Sequence, residues 1–192
     1  INYEYNLDFA LIVKKSSITF TSNIPASGIF AYDKDGISPI VSAIPAGYKV
    51  EYSETQNGDY SEIPFTKYNV GTYSFWARCI NVPNYEDAYQ EFTYTIEKQP
   101  NTLTIDSLDK IYDGSPVNPQ ITTNDYRGLA SSAPDKGFSV IVKYYDENEQ
   151  NETAVAPKNV GTYWVSVIFG ASANYNGIIP NDLFICIIAN IT

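Results

Sequence analysis

The chain has 192 residues, a net charge of −10, no histidine, no methionine and two cysteines. That length allows one large domain or two of about 90 residues. The acidic balance argues against nucleic acid or an anionic membrane surface as partner, because neutralising phosphates takes an excess of Lys and Arg, and no apolar run approaches the length of a membrane-spanning helix.

Without histidine there is no His-activated nucleophile and no His metal ligand. Without methionine, Ile1 is not a translation start, so the chain is expected to be processed or to be a segment of something longer. The 17 tyrosines, with frequent Thr, Val and Ile, favour strands, and the expectation is an all-β protein.

In chain order, Asn2-Tyr3 is followed by an apolar run that includes Phe9, Leu11 and Val13. The same order recurs as Asn84-Tyr85 before Phe92 to Ile96, and as Asn174-Tyr175 before Leu183 to Ile188. Residues 1–17 therefore read as the last strand of a repeat whose body is missing. Residues 18–99 and 100–192 read as two complete repeats.

Asn-Val-Gly-Thr-Tyr occurs at 69–73 and again at 159–163, and the Asn-Tyr pairs follow at the same offset of 90 residues. Tyr73, Phe75, Ala77 and Cys79 alternate along one predicted strand, and Tyr163, Val165, Val167 and Phe169 along its counterpart. Such period-two placement marks a half-buried strand. Tyr48, Val50 and Tyr52 form another such face, matched by Phe138, Val140, Val142 and Tyr144. Gly71 and Gly161 are expected in tight turns with positive φ. Val82-Pro83 and Gln99-Pro100 fall where strands should end. Short strands with turn signals in units of this size predict two tandem immunoglobulin-like β-sandwich domains with an extra N-terminal strand.

Tyr112-Asp113-Gly114 opens the second repeat, and Tyr32-Asp33-Lys34-Asp35-Gly36 opens the first. With the Asn-Val-Gly-Thr-Tyr and Asn-Tyr pairs, this resembles the immunoglobulin-like tandem repeats of large microbial surface proteins, the MBG or YDG type. The resemblance spans about residues 18–190. It implies extracellular display at the cell surface, as stalks, adhesins or fibres, and brings no catalytic residues. The motif residues themselves read as architecture: Asn69, Asn159, Asp33 and Asp113 holding turns through side-chain bonds, and Tyr73, Tyr163, Tyr85 and Tyr175 packing a ring inside with the hydroxyl at a sheet edge.

No catalytic site, cofactor or metal site is expected. The acids of Asp146-Glu147-Asn148-Glu149 and of Glu51 to Glu54 lie in polar, turn-like stretches and read as solvated surface rather than as a glycosidase pair. Asp33-Lys34-Asp35-Gly36 lacks the later ligands of a calcium loop. Cys79 and Cys186, one per repeat, read as buried free thiols, with a bridge between repeats as the other arrangement. Asn151 and Asn190 begin glycosylation sequons.

Two expectations concern partners. The segment with Phe9, Leu11 and Val13 either completes the sheet of a neighbouring copy by strand addition or finishes an upstream repeat of the same polypeptide. Ten extra residues in the second repeat, placed within 122–137, carry Tyr126 and Arg127 between glycines, and read either as a passive surface loop or as a binding loop for a glycan or host-surface receptor. Leu183 to Ile188 is apolar on both faces and needs cover on both.

Overall fold

The structure, a computed structural model, describes residues 12–106, 108–179 and 183–189. The chain divides into two compact units between Ile96 and Glu97. Each is a β-sandwich-like arrangement of two sheets.

Unit 1 contains β1 (Thr19–Ser22), β2 (Ile29–Ala31), β3 (Val41–Ile44), β4 (Glu51–Ser53), β5 (Gly71–Cys79) and β6 (Ala88–Glu97). β1 and β3 pair antiparallel as one sheet, and the other has the order β2-β6-β5-β4. Unit 2 contains β7 (Leu103–Asp106), β8 (Lys110–Ile111), β9 (Gln120–Thr123), β10 (Arg127–Leu129), β11 (Val140–Tyr145), β12 (Gly161–Phe169) and β13 (Phe184–Ala189). Its sheets have the orders β10-β9-β7 and β11-β12-β13-β8.

β7 and β8 show how the sandwich is closed. β7 runs antiparallel to β9 in one sheet, and a few residues later β8 runs parallel to β13 in the other. One stretch of chain thus ties both sheets at their edges. β1 and β2 are divided between the two sheets of unit 1 in the same way.

The alternating faces point as their periodicity requires. On β5, Phe75, Ala77 and Cys79 are buried; on β12, Val165, Val167 and Phe169 are completely buried. Each core joins these residues to the opposite sheet: Val41 and Phe20 in unit 1, Ile121 and Leu103 in unit 2. In unit 1 the packing is largely aromatic, with Phe75 stacked on Phe92 at 5.4 Å between ring centroids and Phe30 edge-on to Tyr94 at 5.7 Å. On β13, Cys186 and Ile188 are buried, whereas Ile187 is 43% exposed beside the 60% exposed Ile111 of β8. The apolar outer face is therefore open among the described residues.

The extra length of unit 2 lies between strands. Six residues separate β3 from β4, and sixteen separate β9 from β11. The expected loop is partly ordered, however. It holds β10, which forms a hairpin with β9, and two 3-10 turns at Ala130–Ser132 and Pro134–Lys136. The backbone groups of Arg127 to Leu129 find partners on β9, which an isolated polar loop would lack.

Most of the expected N-terminal strand lies outside the described residues. Phe9 and Leu11 lie outside the described residues. Val13 is 84% exposed, and residues 12–15 are not strand. The first pairing among the described residues is at Ser16, which bridges Tyr85. Among the described residues, 12–15 pair with no strand.

Candidate functional site

The repeated motifs come first, because they build the frame. In Asn-Val-Gly-Thr-Tyr the tyrosine hydroxyl turns back four residues. Tyr73 donates to the carbonyl oxygen of Asn69 at 2.8 Å, and Tyr163 to that of Asn159 at 3.2 Å. The backbone of the asparagine takes part here. The intervening glycine lies under the ring: a Cβ on Gly71 or Gly161 would sit 3.2 Å from the tyrosine oxygen. Their φ angles, 158° and 159°, border on extended backbone. The positive φ expected from the sequence and the close approach of the ring together reserve the position for glycine.

The Asn-Tyr pair receives the chain as it enters each unit. The Ser16 N–H donates to the Asn84 carbonyl at 2.9 Å, and the Glu86 N–H to the Ser16 carbonyl at 2.8 Å. In unit 2, Gln99 N–H donates to the Asn174 carbonyl at 3.1 Å, and Asn176 N–H to the Gln99 carbonyl at 2.9 Å. Asn84 has φ 69°, a left-handed conformation that asparagine tolerates better than most residues.

The Tyr-Asp-Gly turns are held by their aspartates. Asp33 accepts the N–H of Asp35 at 2.9 Å, and Asp113 accepts that of Ser115 at 2.8 Å. Lys110 Nζ, 2.7 Å away, and the Ser115 hydroxyl add bonds that hold the Asp113 carboxyl well below the usual carboxylate range. Lys34 pairs with Asp35, so this loop meets its own charges. Among the described residues, no group of three or more His, Cys, Asp and Glu side chains gathers as a metal site would require.

The residues singled out for binding are separated by the fold. The ring of Tyr126 packs on Phe138 at 5.2 Å and Phe169 at 6.0 Å, and its hydroxyl donates to the Leu129 carbonyl at 2.8 Å. It is a packing residue at the edge of the unit 2 core. Arg127 alone of the pair is exposed. Asn151 is exposed, with its amide donating to Asp146 Oδ2 at 2.6 Å; Asn190 lies outside the described residues. Cys79 and Cys186 are both buried free thiols in separate units. Burial pushes the Cys186 thiol up to about 11, and its Sγ lies 3.1 Å from the Leu108 carbonyl.

Sequence reading missed a cleft beside Tyr163, open to solvent and of about 760 Å³. One wall is the turn from Asp146 to Asn151. Asp146 Oδ1 accepts the N–H groups of Asn148 and Gln150, each at 2.9 Å, while Oδ2 takes the Asn151 amide. These bonds, led by that from Gln150, hold the Asp146 carboxyl below its ordinary value. Glu149 and Asn151 both take positive φ, 60° and 56°, and Trp164 Nε1 donates to the Glu147 carbonyl at 3.3 Å. The turn is thus fixed at several points. The other wall is Val155 to Asn159, where Val155 is 76% exposed and Lys158 is exposed at the rim.

Comparison with known proteins adds little beyond the fold. No family model matches the chain, and no curated protein matches it in sequence. Among solved structures, the fibronectin(III)-like modules of Clostridium thermocellum CbhA are similar at 15% identity, over 90% of this chain and 95% of that one, with a TM-score of 0.30.

Proposed function

We propose that the protein is a non-catalytic, extracellular structural repeat protein that forms part of a cell-surface stalk or filament. The observation that carries this reading is the repeated entry bond. Both units tie the incoming chain to their own Asn-Tyr loop by two backbone hydrogen bonds, at Ser16 and at Gln99. Backbone bonds ask nothing of the side chain that enters, so such a unit can follow any predecessor. That is the property a serial array needs. The lack of histidine and the turn-bound aspartates fit a spacer better than a reaction centre. The resemblance of the motifs to microbial surface repeats points the same way. Neighbouring copies or repeats of the same protein are the partners this role requires.

Immunogold labelling of intact source cells with an antibody to the purified chain tests the proposal. Label outside the cell envelope is expected. Label confined to the interior of opened cells overturns it. Negative-stain images of the native material then separate the two forms, fibres for a filament and isolated particles for a piece of stalk.

A further inference from the structure

We propose that the cleft beside Tyr163 in unit 2 is a binding site for a neutral saccharide. It does not depend on the stalk reading, since a spacer and a free module present the same surface.

The two units differ locally in a way the fold does not demand. Phe65-Thr66-Lys67-Tyr68-Asn69 of unit 1 corresponds to Val155-Ala156-Pro157-Lys158-Asn159 of unit 2 at the 90-residue offset. In unit 1 the space beside the motif tyrosine is filled. Lys67 forms two backbone bonds with Ile37, each 2.9 Å. Its Nζ lies 5.5 Å from the Tyr73 ring and 5.9 Å from the Phe65 ring, and reaches Glu54 at 3.3 Å. In unit 2 the Phe65 ring becomes Val155 and the lysine becomes Pro157. Proline has no N–H, so half of that backbone bridge is gone; Val117 N–H still donates to the Pro157 carbonyl at 2.9 Å. The result is the open cleft, with Tyr163 on its lining.

Its chemistry selects a ligand class. Tyr145, Val155, Ala156 and Pro157 supply an apolar lining, and Asp146, Asn151 and Lys158 supply polar groups. A pyranose has one face of C–H groups that packs on tyrosine and proline, and a rim of hydroxyls. Each hydroxyl both donates and accepts, which suits a carboxylate, an amide and an ammonium together. The carboxylate is ionised and fixed by its turn, so it needs no reorganisation to accept a sugar hydroxyl. Charge decides between neutral and acidic sugars. One lysine and one aspartate line the cleft, while the whole chain carries −10, so a polyanionic glycan meets net repulsion.

The test uses the full chain on an array of neutral oligosaccharides of glucose, galactose, mannose and N-acetylglucosamine, alongside acidic oligosaccharides and proline-rich peptides. Hits are titrated by calorimetry. Two variants close the cleft: Val155→Phe alone, at an exposed position where folding is undisturbed, and Val155→Phe with Ala156→Thr and Pro157→Lys, which restores the unit 1 residues. Arg127→Ala, in the β9–β10 hairpin, is the control. The expected result is binding of at least one neutral sugar, weakened about tenfold or more by both closures, a loss of the order of one displaced contact patch, and unchanged by the control. No neutral sugar bound at millimolar concentration, retention only of acidic glycans or peptides, or equal affinity in Val155→Phe would each overturn the proposal.

Discussion

The hydroxyl of Tyr52 lies 3.0 Å from the backbone nitrogen of Val41 and 3.3 Å from its carbonyl oxygen, so one phenol on β4 bonds both backbone groups of a residue in the opposite sheet. Tyr52 and Val41 are both buried. Tyr144 on β11 makes the corresponding reach in unit 2, to the Val117 carbonyl at 3.4 Å. Two sheets that meet only through apolar side chains can slide; a hydroxyl fixed on a backbone group sets their register.

Tyr52→Phe is expected to destabilise unit 1 by about 1–3 kcal/mol, the cost of leaving a buried backbone donor without a partner. Tyr144→Phe removes a single, longer bond to an acceptor and is expected to cost less. Urea unfolding followed by tryptophan fluorescence reads both. Equal midpoints for Tyr52→Phe and wild type would show that the inter-sheet bond contributes nothing.

Gly71→Ala is expected to destabilise through its positive φ and through tight contact with the Tyr73 ring. A double-mutant cycle with Tyr73→Leu isolates the cause. The share of the cost that is ring contact appears as a coupling energy of about 0.5–3 kcal/mol, and the remainder stays with the backbone. Additive losses would place the cost in the backbone instead. Gly161→Ala with Tyr163→Leu repeats the measurement in unit 2.

Asn84 distinguishes a conformational role from a side-chain role. Because its φ is 69°, Asn84→Ala is expected to cost about 1 kcal/mol and Asn84→Gly close to nothing. Thermal unfolding compares the two. A glycine variant as unstable as the alanine one would mean that the amide itself is needed.

Alkali is expected to weaken unit 2, and unit 1 as well, where burial raises the Cys79 thiol and pushes the Tyr94 phenol up to about 12. Burial raises the Cys186 thiol from 9.0 to about 11 and the Tyr144 phenol from 10.0 to about 12. A raised acid binds its proton more tightly in the folded state. The stability it contributes is therefore complete below about pH 9 and is lost as pH rises towards 11 and 12. The urea midpoint should hold steady to about pH 9 and then fall, and Cys186→Ala should flatten the first part of that fall. A midpoint independent of pH up to 12 would contradict the burial of these groups.

Much of the frame was legible in the sequence because it rests on local rules. Alternation placed Phe75, Ala77 and Cys79, and then Val165, Val167 and Phe169, on buried faces, since successive strand side chains point to opposite sides. The 90-residue offset marks the equivalent loops of the two units. Tyr126 shows where local reading stops. Its neighbours are polar and Gly-flanked, which marks a loop tip. Yet Phe138 and Phe169, twelve and more residues away, close around its ring.

By itself, then, the sequence determined the alternating strands β5 and β12, the doubled unit and the turns held by Asp33 and Asp113, because each depends on residues adjacent in the chain. Only the tertiary structure decided which side chains fill space between distant segments. Lys67 and Phe65 fill the ground beside Tyr73, while Pro157 and Val155 leave the ground beside Tyr163 open. Whether a volume is filled or empty is a sum over elements far apart in sequence, and no local pattern carries that sum.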